Sequence, residues 1–211
     1  MKKIIIFDFD GTLANTNEIS YNIYVTMCER YEVPVLTKDE LSELKQLPVK
    51  ERLKKIKVPL RRVPKLLRES WTLYYDHMDS VSYFDGIDTV LTQLSDKGLK
   101  LVILSSNDRR NIERFLAFQS VNPFTHIYDK AKALKKDKVL KKLLKKERLR
   151  LDEALYIGDE LRDVDACVRM GMDIVAVSWG LDEKDVLKHY NPGPVVDTPE
   201  ALLESIEEYL S

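Results

Sequence analysis

The chain has 211 residues, and its 34 Lys plus Arg against 35 Asp plus Glu leave a formal net charge of -1, so neither nucleic acid nor an anionic membrane surface is expected as a partner. With 33% charged and 44% hydrophobic residues the composition fits neither a disordered tail nor a membrane protein, and the length allows one domain or one domain carrying an inserted unit. Cys28 and Cys167 stand far apart without CxxC spacing or a histidine cluster, which argues against a disulfide scaffold and a structural zinc site and for reduced, core-facing thiols.

Taken in chain order, the run from Lys2 to Asp8 is short, β-branched and apolar on both faces, the pattern of a parallel strand covered by helices on both sides. It is too short for a signal-peptide core or a membrane span, so a cytoplasmic location is expected. From Asn17 to Phe84 no strand pattern occurs, only helical patterns cut by Pro34, Pro48, Pro59 and Pro64, with capping-box spacing at Thr37-Lys38-Asp39-Glu40. This stretch reads as an inserted helical cap over residues 17–84, dividing a core made of 1–16 and 85–211. The basic segment Arg52 to Arg68 within it reads as a solvated amphipathic face. Further buried strands are predicted at Lys100 to Leu104, Ala154 to Ile157 and Asp173 to Val177, with Gly98 and Gly171 placed to end the preceding helices. A helix with the stripe Leu134, Val139, Leu140, Leu143 and Leu144 lies in the basic stretch Lys130 to Arg150. Strand and helix in alternation predict an α/β doubly wound parallel sheet, a Rossmann-like core with the helical cap inserted.

The sequence concentrates polar chemistry where these strands end. Asp8-Phe9-Asp10-Gly11-Thr12 sets two carboxylates at i and i+2, aimed to one side, and such a pair persists where a cation or a shared proton offsets the repulsion. Gly11 permits a tight turn whose amides can approach an anion. A strand-end cap followed by a turn aspartate is the plain structural alternative. After the strand Ala154 to Ile157 comes a second acidic cluster, Gly158-Asp159-Glu160-Leu161-Arg162-Asp163. Parallel strands bring both clusters to one carboxyl edge, an oxygen-rich setting suited to a hard divalent ion such as Mg²⁺. Asp163 and Asp165 can also be read as charges complementing a helix N-terminus. Ser105-Ser106-Asn107-Asp108 after Lys100 to Leu104 adds hydroxyl and amide groups at the same edge, or ordinary turn and cap chemistry.

In this order the three motifs resemble the haloacid dehalogenase-like superfamily of aspartyl phosphotransferases, in its phosphoglycolate phosphatase-like branch with an α-helical cap. The resemblance implies a phosphatase acting on a small phosphorylated metabolite with Mg²⁺. It implies Asp8 as nucleophile, Asp10 as acid and base, and Ser105 as holder of the transferring phosphoryl group. Gly11, Thr12, Ser106 and Asn107 would surround the phosphate, and Asp8, Asp10 through its main-chain carbonyl, Asp159, Glu160 and Asp163 would form the metal site. The family's Lys-Pro signature is absent; Lys136 is the choice for its lysine, with Lys130, Lys132, Lys135 and Lys138 competing. Lys50 in the cap would neutralise a substrate anion or be merely solvated. Asp10 argues against dehalogenase and phosphonate-cleaving chemistry, while a phosphomutase, or a non-catalytic binding module of the same fold, stays open as an alternative. The oligomeric state is not legible.

Overall fold

A computed structural model describes residues 1–45, 51, 54–55, 58–129 and 136–211. Its frame is a six-stranded sheet in the order β3-β2-β1-β4-β5-β6, every pairing parallel, formed by β1 (Ile4–Phe7), β2 (Lys100–Leu104), β3 (Phe124–Tyr128), β4 (Ala154–Gly158), β5 (Ile174–Val177) and β6 (Val195–Val196). The chain winds outward from β1 through β2 to β3, then returns to place β4 on the other side of β1. The switch in winding direction therefore falls between β1 and β4, where sites in open α/β sheets form. Register keeps the strand ends level: Phe7 pairs with Ile103 of β2 and with Ile157 of β4.

Both faces of the sheet are covered. Alternate residues divide between two apolar clusters, with Ile5, Phe7, Leu101, Ile103, Leu155 and Ile157 in one and Ile4, Ile6, Val102, Leu104, Ala154 and Tyr156 in the other. The first cluster is completed by α4 (Ile87–Asp96), α5 (Arg109–Ala117) and α9 (Pro199–Leu210), the second by α6 (Lys136–Glu147), α7 (Leu161–Met170) and α8 (Lys184–Tyr190). Burial of each such aliphatic side chain contributes roughly 1.5–3 kcal/mol, which is why the strands read as unbroken apolar runs.

The four strands expected from sequence are present. β3 and β6 were not expected, because β3 carries Thr125 and His126 on a half-exposed edge and β6 is only two residues long. Gly171 ends α7 with φ +67° and Gly98 follows α4 with φ +74°, both in the left-handed region that favours glycine.

Between β1 and α4 the chain forms helices: α1 (Asn17–Arg30), α2 (Lys38–Lys45) and α3 (Val63–Tyr75). The expected capping box opens α2, with Thr37 N–H donating to Glu40 Oε2 at 2.8 Å and Glu40 N–H to Thr37 Oγ1 at 3.2 Å. Ser20 Oγ lies 2.5 Å from Tyr74 Oη, and Tyr31 Oη donates to Glu69 at 3.0 Å, contacts that set α1 and α3 side by side and antiparallel. No helix among the described residues is long and apolar enough to cross a membrane. Both cysteines are free and buried.

Candidate active site

Asp8 is the first residue beyond β1, and its N–H donates to Ile157 O of β4 at 2.8 Å. Asp159 is the first beyond β4 and Ser105 the first beyond β2, so neighbouring strands deliver all three to one edge, each 3% exposed or less. Phe9 N–H donates to Asp8 Oδ1 at 2.7 Å, and Lys136 Nζ, from the first residue of α6, donates to Asp8 Oδ2 at 2.6 Å. The same ammonium is paired with Asp163 Oδ1, and it donates to Tyr156 Oη at 3.2 Å. Tyr156 in turn donates to Asp163 Oδ1 at 3.2 Å. One buried cation thus holds two buried carboxylates together, an arrangement that offsets the desolvation of all three.

The loop after β1 is shaped around Asp159. Gly11 has φ +76°, and a Cβ there would collide with the Asp159 carboxylate; so would a Cβ at Gly180. Thr12 Oγ1 donates to Asp159 Oδ1 at 2.6 Å and Leu181 N–H to Oδ2 at 2.7 Å. Trp179 Nε1 donates to Thr12 O at 3.2 Å and closes the loop from the far side.

Asp10 faces the opening. Asn107 Nδ2 donates to both its oxygens at 3.1 and 3.0 Å. Asn107 Oδ1 accepts from Asn111 Nδ2 at 2.8 Å, and that same Nδ2 donates to Trp71 O on α3 at 3.0 Å. Hydrogen bonds therefore run from Asp10 through two buried asparagines to the inserted helices.

Electrostatics divide these carboxyls. Burial opposes ionisation of Asp8, but the charges of Lys136 and Arg162 and the bonds from Lys136 and Phe9 outweigh it and hold its carboxyl below the usual range. Burial and then the adjacent Asp8 push Asp10 up to about 7. Burial raises Asp163 to about 7 even against Lys136, and burial together with Glu160, Asp8 and Asp163 raises Asp159 well above its ordinary value.

A hard divalent cation fits this donor set. Carboxylate oxygens of Asp8, Asp159 and Asp163 lie within 4.8 Å of one another and all three residues are buried. Asp163 Oδ2 is buried without a hydrogen-bond partner, and the ligands are oxygen throughout.

The structure brings together Asp8, Asp10, Ser105, Asn107, Lys136, Asp159 and Asp163. Thr12 spends its hydroxyl on Asp159 and is fully buried, so it positions that carboxylate. Glu160 Oε1 accepts from Arg162 at 2.6 Å, and Glu160, Gly11 and Ser106 line the cavity above the strand ends. Among the competing lysines Lys136 is buried and Lys138 exposed; Lys130, Lys132 and Lys135 lie outside the described residues, and so does Lys50. Sequence reasoning missed Tyr156, Asn111, Arg162 and Gly180. Tyr156 was detectable as the one phenol in a buried aliphatic strand, and Arg162 stands inside the acidic cluster beside its partner Glu160, while Asn111 and Gly180 show their roles only through distant partners.

A cation-stapled acidic centre at the switch point of a doubly wound parallel sheet, roofed by helices inserted after the first strand, defines the class as an α/β enzyme. The chain belongs to the haloacid dehalogenase-like hydrolases, whose family model matches residues 5–177. It is 29% identical over 207 residues to the phosphoglycolate phosphatase of Synechococcus elongatus, covering 98% of each chain. It is 24% identical over 209 residues to the pyrophosphatase PpaX of Bacillus cereus, covering 97% of this chain and 96% of that one. Its fold matches a haloacid dehalogenase-like family hydrolase from Streptococcus pneumoniae with TM-score 0.82 at 20% identity, over 97% of this chain and 98% of that one.

Proposed function

We propose that the chain is a Mg²⁺-dependent phosphatase that hydrolyses a small phosphorylated metabolite through a phosphoaspartate on Asp8. The observation that carries this reading is the buried Asp8 carboxylate just beyond β1, 2.6 Å from the buried Lys136 ammonium and two residues before Asp10, whose carboxyl burial and Asp8 push up. The names of the relatives, a phosphoglycolate phosphatase and a pyrophosphatase, support phosphoryl-transfer chemistry.

In this reading Asp8 attacks phosphorus as the bond to the leaving alcohol oxygen breaks, and Asp10 delivers its proton to that oxygen. Asp10 then removes a proton from the water that attacks the phosphoaspartate, releasing inorganic phosphate and restoring the Asp8 carboxylate. Asn107, bonded to both Asp10 oxygens, keeps that side chain aimed at the opening. Lys136 and the Ser105 hydroxyl hold phosphoryl oxygens, and the Gly11 turn lines the space they enter. Asp8, Asp159 and Asp163 would hold the Mg²⁺, with the Asp10 carbonyl and Glu160 close by. When bound, the ion neutralises phosphate charge that would otherwise repel an anionic nucleophile.

Residues 17–84 serve as the cap and 1–16 with 85–211 as the core, the cap excluding water and selecting the substrate. The two free cysteines support a reducing compartment, hence a cytoplasmic location. Phosphate release from a panel of phosphorylated metabolites, with Mg²⁺ and with EDTA, tests the proposal. Turnover with Mg²⁺ alone is expected; full activity in EDTA, or no release from any member, contradicts it.

A further inference from the structure

A cavity of about 900 Å³ rises from the strand ends into the inserted helices. Its floor is polar and belongs to the site just described, with Asp10, Gly11, Ser106, Asn107, Glu160 and Arg162. Its walls differ in kind. Ile23 and Met27 come from α1, and Val63, Leu66, Leu67 and Trp71 from α3. Those four positions on α3 form a helical stripe of the sort that usually packs against another element, yet α3 buries none of its residues. Three tyrosines also line the space, and their hydroxyls already have partners: Tyr24 accepts from Leu36 N–H at 3.0 Å, Tyr31 donates to Glu69, and Tyr74 pairs with Ser20. The upper cavity therefore offers a ligand mostly hydrocarbon and aromatic surface.

We infer that this space receives the alcohol portion of the substrate, and that this portion is a bulky, largely apolar body of aromatic or branched carbon. The inference rests on the phosphatase reading and deepens it. Size is the first argument: pockets of roughly 300–1,000 Å³ suit drug-sized ligands, so a two-carbon acid or a bare phosphate would leave most of this one unfilled. Polarity is the second, since a polar floor continuous with an apolar roof matches a phosphate monoester whose charge sits at one end only. Charge is the third. Among the described lining residues of the roof Lys55 and Arg62 are exposed and share the wall with Glu40 and Glu43, so this described wall offers a second anion no buried cation. Arg162 is paired with Glu160 on the floor.

The test uses the full chain carrying Asp8→Asn, which binds without turning over, titrated in Mg²⁺ with 1-naphthyl phosphate and with phosphoglycolate by calorimetry at several temperatures. Naphthyl phosphate should bind at least about tenfold more tightly, with a negative heat-capacity change that marks burial of apolar surface. Equal or tighter binding of phosphoglycolate, or no heat-capacity change, overturns the inference. Ser70→Trp, which adds bulk to the cavity wall from α3, should lower the ratio of the two affinities about tenfold; an unchanged ratio in the folded variant also overturns it. The phosphatase reading fails separately: naphthyl phosphate bound as expected with no ester hydrolysed by the wild type removes the catalysis and keeps the apolar site, whereas efficient hydrolysis of small acidic esters alone keeps the catalysis and removes this inference.

Discussion

Lys136 Nζ lies 2.6 Å from Asp8 Oδ2 across 128 residues of sequence, with the ammonium 1% and the carboxylate 4% exposed. The pair joins the start of α6 to the end of β1, and Asp163 completes it from α7. Removing this cation should be costly in two ways. Lys136→Met leaves two buried carboxylates without their counter-charge, so urea denaturation in EDTA should show a loss of about 3–5 kcal/mol, and turnover should fall at least about a hundredfold. Lys138→Met, two residues on and exposed, should change stability by less than about 0.5 kcal/mol. Comparable losses in both variants would show that Lys136 has no special place.

Mg²⁺ alone should stabilise the protein, because a cation bound among Asp8, Asp159 and Asp163 relieves their repulsion in the folded state only. The gain should approach about 2.7 kcal/mol at a hundredfold excess over Kd, read as a rise in Tm. Asp159→Asn should remove most of the Mg²⁺-dependent rise. An identical rise in the variant would place the ion elsewhere.

Asn111 is fully buried and links Trp71 O of α3 to Asn107, which holds Asp10. Asn111→Leu should loosen the aim of Asp10 without touching the phosphate cradle. The expected result is a fall in kcat of about tenfold, an effect on acid and base catalysis alone, with KM little changed. A rise in KM at constant kcat would assign Asn111 to binding of the substrate body.

Glu147, at the end of α6, lies 2.5 Å from Lys100 Nζ and accepts from Tyr128 Oη at 2.7 Å, tying that helix to β2 and β3. Burial opposes its charge, but the bonds from Lys100 and Tyr128 prevail and hold its carboxyl below the usual range. A carboxyl lowered in the folded state stabilises above its unfolded value, and that stabilisation is lost as pH falls through the folded value. Glu147→Gln should therefore cost about 1–2 kcal/mol near neutrality, with the difference from wild type shrinking below about pH 4. A difference independent of pH would mean that packing, not charge, is responsible.

How much of this could be read from sequence follows from how local each signal is. Strands buried on both faces announce themselves as apolar runs, so β1, β2, β4 and β5 were legible, and the parallel arrangement put Asp8, Ser105 and Asp159 on one edge. β3 hid behind Thr125 and His126, which its edge position tolerates. The capping box at Thr37 and Glu40 was legible because both partners lie within one turn. Asn111 and Gly180 were not, since nothing near them in sequence shows that Trp71 and Asp159 will be their neighbours. Lys136 could be chosen among its neighbours only by family resemblance, because burial of one lysine in a basic run depends on which way the helix faces.

Asp8 itself should become phosphorylated during turnover. Wild-type protein turning over a substrate with a radiolabelled phosphoryl group is quenched rapidly in acid and its peptides are mapped. Label is expected on the peptide containing Asp8, discharged by hydroxylamine as an acyl phosphate is, and none in Asp8→Asn, which should be folded and inactive. Label on a different residue, or substantial turnover by a clean Asp8→Asn preparation, would contradict it.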